Sequence, residues 1–141
     1  MIDIKPREVI NLNIPVQPMG AVRMTGRGKY VKDNAKRYMA YKTHLQWMAN
    51  MQLKGHELFE GSLFVRLTFF MPIPQSMRGK ERNAAVNGGY HKKKPDIDNL
   101  IKGVFDALNG VAWKDDNQVS KVEAEKRYGP EPGIKIEVMK T

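Results

Sequence analysis

Residues 94–118 read Lys94-Pro95-Asp96-Ile97-Asp98-Asn99-Leu100-Ile101-Lys102-Gly103-Val104-Phe105-Asp106-Ala107-Leu108-Asn109-Gly110-Val111-Ala112-Trp113-Lys114-Asp115-Asp116-Asn117-Gln118. Leu100, Ile101, Val104, Phe105 and Leu108 recur at three- and four-residue steps. That spacing predicts a helix from Asp98 to Asn109 with one narrow apolar face, and Gly110 is its terminator. Strand-like segments lie on both sides of this helix, so the chain reads as α+β.

Downstream, Val119 to Tyr128 and Ile134 to Met139 read as two strands. The Gly129-Pro130-Glu131-Pro132-Gly133 turn between them suggests an antiparallel hairpin. Upstream, Leu63 to Met71 is β-branched, aromatic and short, which predicts a buried, central strand; Pro72 and Pro74 end it. Asp33 is placed to cap a helix running to about Leu53. Tyr38, Tyr41, Leu45 and Met48 form its apolar stripe, continued by Met51 or Gln52, and Gly55 stops it. Val9 to Ile14 is a first strand ending at Pro15. Ser76 to Lys94 is polar, basic and Gly-containing, and reads as a long flexible loop. The expected architecture is a single domain over residues 1–141 in the order β-α-β-α-β-β. It is a small mixed sheet with two helices packed on it.

Composition narrows the function. The chain has 24 Lys and Arg against 15 Asp and Glu, a net charge of +9 and a pI near 9.8. Such a balance favours a polyanionic partner, nucleic acid before an anionic membrane surface. With no cysteine, disulfides, thiolate metal sites and Cys nucleophiles are excluded. The first residues lack the apolar core of a signal peptide, and no apolar run approaches a membrane span. The expectation is a soluble, cytoplasmic protein with no membrane partner.

Against this basic background, residues 94–118 hold five aspartates. Clustered carboxylates repel one another, and a cation between them relieves the repulsion. In an extended segment Asp96 and Asp98 point to the same side, while Ile97 turns into the core. The helix start beside them favours their negative charge. The plain alternative is that one of them is only an N-cap. Lys102 stands one turn beyond Asp98, either as a surface ion-pair partner or as a cation aimed at a phosphate or leaving group. Of Asp115 and Asp116, one reaches the site. Asp106 reads as an ion-pair partner or surface charge. Oxygen-only ligands point to Mg²⁺ or Mn²⁺. A calcium loop fails because Ile101 and Ala107 occupy positions that need Gly and Glu. The three histidines make no zinc spacing. Two basic segments would supply a sequence-independent phosphate grip: Arg23, Arg27, Lys29, Lys32, Lys36 and Arg37 in one, and Lys92, Lys93 and Lys94 in the other. Phosphodiester hydrolysis matches this charge layout.

The run Asp96-Ile-Asp98-Asn99-Leu100-Ile-Lys102-Gly-Val-Phe-Asp106-Ala107-Leu108, followed by Asp115-Asp116-Asn-Gln118-Val119, resembles the core of the RusA family of Holliday junction resolvases. The resemblance is close over about 25 residues and loose elsewhere. It implies an α+β homodimer, largely of phage or prophage origin, that resolves four-way DNA by paired symmetric nicks with Mg²⁺ or Mn²⁺. It also implies that the metal-binding aspartates are Asp96, Asp98 and Asp116, that Lys102 is the essential lysine, and that Asp115 is a further contributor. Two other readings compete. One is a non-catalytic nucleic-acid-binding protein whose acids only cap and pair. The other is a metal nuclease acting on flaps or forks.

Overall fold

The computed structural model describes residues 8–22 and 29–141. Strand β1 (Val9–Ile14) is followed by helix α1 (Lys29–Gln52), strand β2 (Leu63–Met71), helices α2 (Gly79–Val86) and α3 (Ile97–Leu108), and strands β3 (Val119–Tyr128) and β4 (Gly133–Lys140). A short 3-10 turn, Asp116–Gln118, precedes β3. The strands form one mixed sheet in the order β1-β4-β2-β3. β2 is central, as its composition predicts. It pairs parallel with β3 and antiparallel with β4, and β4 in turn pairs antiparallel with β1.

Alternation along β2 shows how the sheet is used. Leu63, Val65, Leu67, Phe69 and Met71 are buried with Leu100, Val104, Leu108 and the α1 stripe in one core. The opposite face is mixed: Phe64 is buried there, Thr68 and Phe70 are half-buried, and Arg66 is exposed. There Arg66 donates to Glu123 on β3 (3.0 Å) and to Glu137 on β4 (3.1 Å), one cross-strand row in register. The α1 stripe is Tyr38, Tyr41, Leu45, Ala49 and Leu53, all buried, whereas Met51 and Gln52 are exposed. Gln52 instead caps the outer edge of β1. Its side-chain amide accepts from the Asn13 N–H (2.9 Å) and donates to the Asn13 carbonyl (2.7 Å), as a neighbouring strand would.

Four expectations are corrected. The β3–β4 turn closes no hairpin, because β2 lies between the two strands. The connection arches over the end of β2 instead: the Gly129 N–H donates to the Met71 carbonyl (3.1 Å). A Cβ at Gly129 would stand 3.1 Å from Phe70 side-chain atoms, so a larger residue here would require the Phe70 ring to give way. The segment read as loop from Ser76 to Lys94 contains α2, whose Ala85 packs with Met77 and Tyr128 in a small satellite cluster. Asp33 does not cap α1, which begins at Lys29. Ile97 does not enter the core; it is the first residue of α3 and 36% exposed.

Core and exposed positions of β2 should respond differently to truncation. Leu67→Ala is expected to lower unfolding stability by about 3 kcal/mol through transfer and cavity terms. Arg66→Ala, at an exposed position, should leave the midpoint nearly unchanged. Urea denaturation of the two variants checks the contrast.

Candidate functional site

The site is built where α3 begins beside the end of β3. Asp96 occupies the N-cap position of α3 in an extended conformation, and its side chain makes no capping hydrogen bond. Its carboxylate is thus not spent on the helix, contrary to the plain N-cap alternative. Asp98 lies in the first turn. Asp96, Ile97 and Asp98 line one pocket with Tyr90, His91, Ala124, Glu125 and Lys126. Asp96 and Asp98 thus line the same pocket, and a strand-to-helix corner rather than strand alternation brings them together.

Several contacts hold this corner. Lys126 on β3 donates its Nζ to the carbonyls of Lys93 (2.6 Å) and Pro95 (2.9 Å), tying down the backbone that leads into Asp96. The His91 N–H donates to the Lys126 carbonyl (3.0 Å), and the Tyr128 N–H donates to the Gly89 carbonyl (2.9 Å). Residues 89–91 thereby form a strap along the end of β3. The Ala21 N–H donates to the Asn99 carbonyl (3.0 Å) on the other side. A Cβ at Gly20 would stand 3.1 Å from the Pro95 Cβ, so the chain just before Arg23 lies tightly against the start of α3.

His91 was not singled out by sequence spacing, yet it faces this pocket. Its ring packs edge-on against Tyr128 (4.9 Å), and its Nδ1 is buried without a partner among the described residues. Burial, with Lys126 and Lys93 nearby, holds its pKa below the ordinary imidazole range, so the ring is neutral near pH 7. Glu125 is a further carboxylate missed in the sequence; Arg127 holds it at 2.9 Å. Its signal was weak, because one acid in an alternating charged strand looks like any solvated position.

The Asp115–Asp116 pair sits elsewhere. Asp115 caps the 3-10 turn: its side chain accepts from the Asn117 N–H (3.2 Å), completing a capping box with Gln118. Gln118 accepts from the Lys114 and Asp115 amides (3.0 and 3.2 Å) and donates to the Phe59 and Gly61 carbonyls (2.9 and 3.1 Å). Asp116 is left with one long bond, 3.4 Å, donated by Asn109 Nδ2. Asn109 also accepts from Trp113 Nε1 (2.7 Å), and Trp113 is fully buried. Asp115 is therefore committed to local structure, and Asp116 is the freer acid of the two.

Asn109 is the C-cap of α3, so Asp116 lies at the opposite end of that helix from Asp98. Eleven residues of helix separate Asp98 from Asn109, about 16 Å at 1.5 Å per residue. Along β3, Val119 to Lys126 spans about 23 Å. Accordingly, no three His, Asp or Glu are gathered closely enough to hold a metal ion among the described residues.

Lys102 is exposed one turn along α3, and Lys36, Arg37, Lys92, Lys93 and Lys94 are exposed as well. Arg23 and Arg27 lie outside the described residues, as do the side chains of Lys29 and Lys32. Among the described residues Asp106 meets no cation; it accepts a hydrogen bond from the Tyr38 hydroxyl (3.1 Å), pinning α1 to α3. Burial first, then the Asp106 charge, raise the Tyr38 pKa far above its ordinary value, so the phenol remains a donor. No helix among the described residues is long and apolar enough to cross a membrane.

A mixed sheet with carboxylates gathered at a helix start, flanked by exposed cations, describes a protein built to work on a polyanion. The comparisons give that class a family. The family model for endodeoxyribonuclease RusA matches residues 15–139, and the chain belongs to this family, whose members are crossover junction endodeoxyribonucleases. The chain is also similar to the uncharacterized protein YqaN of Bacillus subtilis (strain 168), 33% identical over 124 residues. That match covers 85% of this chain and 84% of the relative.

Removing the Lys126 tether tests how the corner is held. Lys126→Met should lower stability by about 1.5 kcal/mol, the scale of a charge-assisted hydrogen bond. It should also speed hydrogen exchange of the Leu100 amide, which closes the first turn of α3 on the Asp96 carbonyl. An exchange rate equal to wild type would deny Lys126 this role.

Proposed function

We propose that the protein resolves four-way DNA junctions with Mg²⁺ as its cofactor, Mn²⁺ substituting, and that it acts as a homodimer. The observation that carries this reading is the pair of uncommitted carboxylates, Asp96 and Asp98, in one pocket at the start of α3. Their donor set is all oxygen, which suits a hard cation. A divalent ion bound there would activate water and offset charge on the phosphoryl group. Asp96 and Asp98 would hold it; Asp116, the third acid that the family resemblance implies, stands at the other end of α3 within the chain.

The chain's own residues account for the remaining requirements. Lys92, Lys93 and Lys94 are exposed immediately before Asp96, so they can grip the backbone of the strand whose phosphate enters the pocket. Lys36 and Arg37, with the cations from Arg23 to Lys32, would extend that grip without reading sequence. Lys102, exposed one turn beyond Asp98, would serve a phosphate or leaving oxygen. A junction presents two strands related by near two-fold symmetry, so paired nicks need two sites and hence two chains.

Incubating the protein with a synthetic four-way junction, a fork and a plain duplex, each with Mg²⁺, Mn²⁺ or EDTA, tests the reading. Symmetric, metal-dependent nicks in the junction are expected. Cutting confined to forks would move the substrate, and binding without cutting of any substrate would favour the non-catalytic alternative. Asp96→Asn and Asp98→Asn should each slow cleavage by about a hundredfold or more. Junction binding should be retained or tightened, since each change removes negative charge near DNA. Equal turnover by wild type and Asp98→Asn would remove Asp98 from the site. Replacing Lys92, Lys93 and Lys94 together by Ala should weaken binding to all DNA alike and flatten its salt dependence by about three units of slope.

A further inference from the structure

Tyr90 is the most exposed large apolar or aromatic side chain among the described residues, 67% open to solvent. It is nonetheless held in place. The strap pairs with β3 on either side of it, through the Gly89 carbonyl and the His91 N–H. The Arg127 guanidinium lies over its ring, 4.2 Å from the centroid, and Arg127 Nη2 donates to its hydroxyl (3.0 Å). Arg127 is fixed in turn by the Glu125 carboxylate (2.9 Å) and the Gly88 carbonyl (2.9 Å). The result is a planar ring with a cation against it and most of its surface bare.

Packing does not account for this arrangement. A ring so exposed buries little apolar area and adds little to stability. Its position points to a ligand instead. Tyr90 lines the same pocket as Asp96 and Asp98, and the exposed run Lys92 to Lys94 leads from it to those acids. A phosphate seated at the carboxylates would therefore bring its own nucleotide, or the next one, against the ring.

We infer that Tyr90 stacks on a base that has left its pair beside the phosphate at Asp96 and Asp98, and so favours a branched strand over a continuous duplex. This rests on the nuclease reading of that pocket. Every base has a π-face, so stacking on an aromatic side chain tolerates any sequence, and a neighbouring guanidinium adds to it. In a continuous duplex both faces of a base are covered by its neighbours. At a branch point the stack is interrupted, and a base is released at lower cost. The lysines cannot make this distinction, because phosphates are present on every DNA. Tyr90 thus reads structure rather than sequence.

Binding measured in EDTA tests the stacking without cleavage. Abasic residues are placed one at a time at the nucleotides flanking the branch point of a synthetic four-way junction. Tyr90→Leu should weaken binding of the intact junction by about tenfold to a hundredfold and leave binding of plain duplex unchanged. At one abasic position the wild type should lose affinity by the same factor, and Tyr90→Leu should lose nothing further. Tyr90→Phe keeps the ring and should bind as the wild type does. Penalties that multiply when the two changes are combined would overturn the stacking. So would an equal loss on junction and duplex, which would make Tyr90 a backbone contact.

A second measurement needs no variant. The wild type is irradiated on a junction carrying 5-iodouracil at the same nucleotide, and the attached residue is identified by mass spectrometry. Attachment at Tyr90 is expected; attachment elsewhere, or none, would reject the contact. If the metal-loaded wild type cuts no DNA, the nuclease reading fails, while the abasic and cross-linking results still decide whether Tyr90 holds a base.

Discussion

The parallel pairing of β2 with β3 is the constraint on which the arrangement of the acids depends. Parallel neighbours cannot be joined by a tight turn, so the chain must travel back along the sheet before it re-enters, and α3 makes that return. A return helix has its two ends at opposite ends of the strands it covers. Asp96 and Asp98 precede and open α3, whereas Asp116 follows it, so the crossover itself holds them apart. Acids that stand close together in the sequence are divided by the element between them.

Much of this was legible because the signals were local. The apolar face of α3, the tyrosine–leucine stripe of α1 and the limits of β1, β2 and β3 follow from side-chain periodicity, which a single segment carries. Pairing is not local. The Gly129–Gly133 segment signals a chain reversal, but no property of those residues says that β2 will lie between the strands it joins. The glycine there answers to Phe70 across the sheet, a contact invisible in sequence. α2 was missed because its residues, Gly79 to Val86, have no amphipathic period, and only Ala85 is buried. Alternation misled at Ile97, because the chain changes from extended to helical between Asp96 and Ile97.

The acids of residues 94–118 look alike in sequence, and the structure distinguishes them by what each one touches. Asp115 and Asp116 are indistinguishable by composition, and hydrogen bonding separates them: one closes a capping box with Gln118, and the other keeps a single long contact from Asn109. The same logic separates Asp106 from the remaining acids of the stretch. Its carboxylate is engaged by a phenol from α1, so its charge steadies the packing of two helices. A carboxylate engaged in such a contact is held in place by it and keeps fewer of its lone-pair sites for a ligand. What remains uncommitted among the described residues is Asp96 and Asp98 at the corner, while Asp116, across the length of the helix, keeps only its long contact from Asn109.

The two sheet edges carry the argument to the level of assembly. An exposed strand edge is a standing invitation to pairing, and folded proteins cover it, charge it or use it. At β1 the side chain of Gln52 supplies both a donor and an acceptor to Asn13, which blunts that edge. At β3 the strap of residues 89–91 covers the final residues and stops at Lys126. The strap thus serves two ends at once: it helps hold the backbone beside Asp96, and it limits where another strand can lie. Left between the strap and the 3-10 turn is a short edge bearing Lys121 and Glu123 on one face and an exposed Val122 between them.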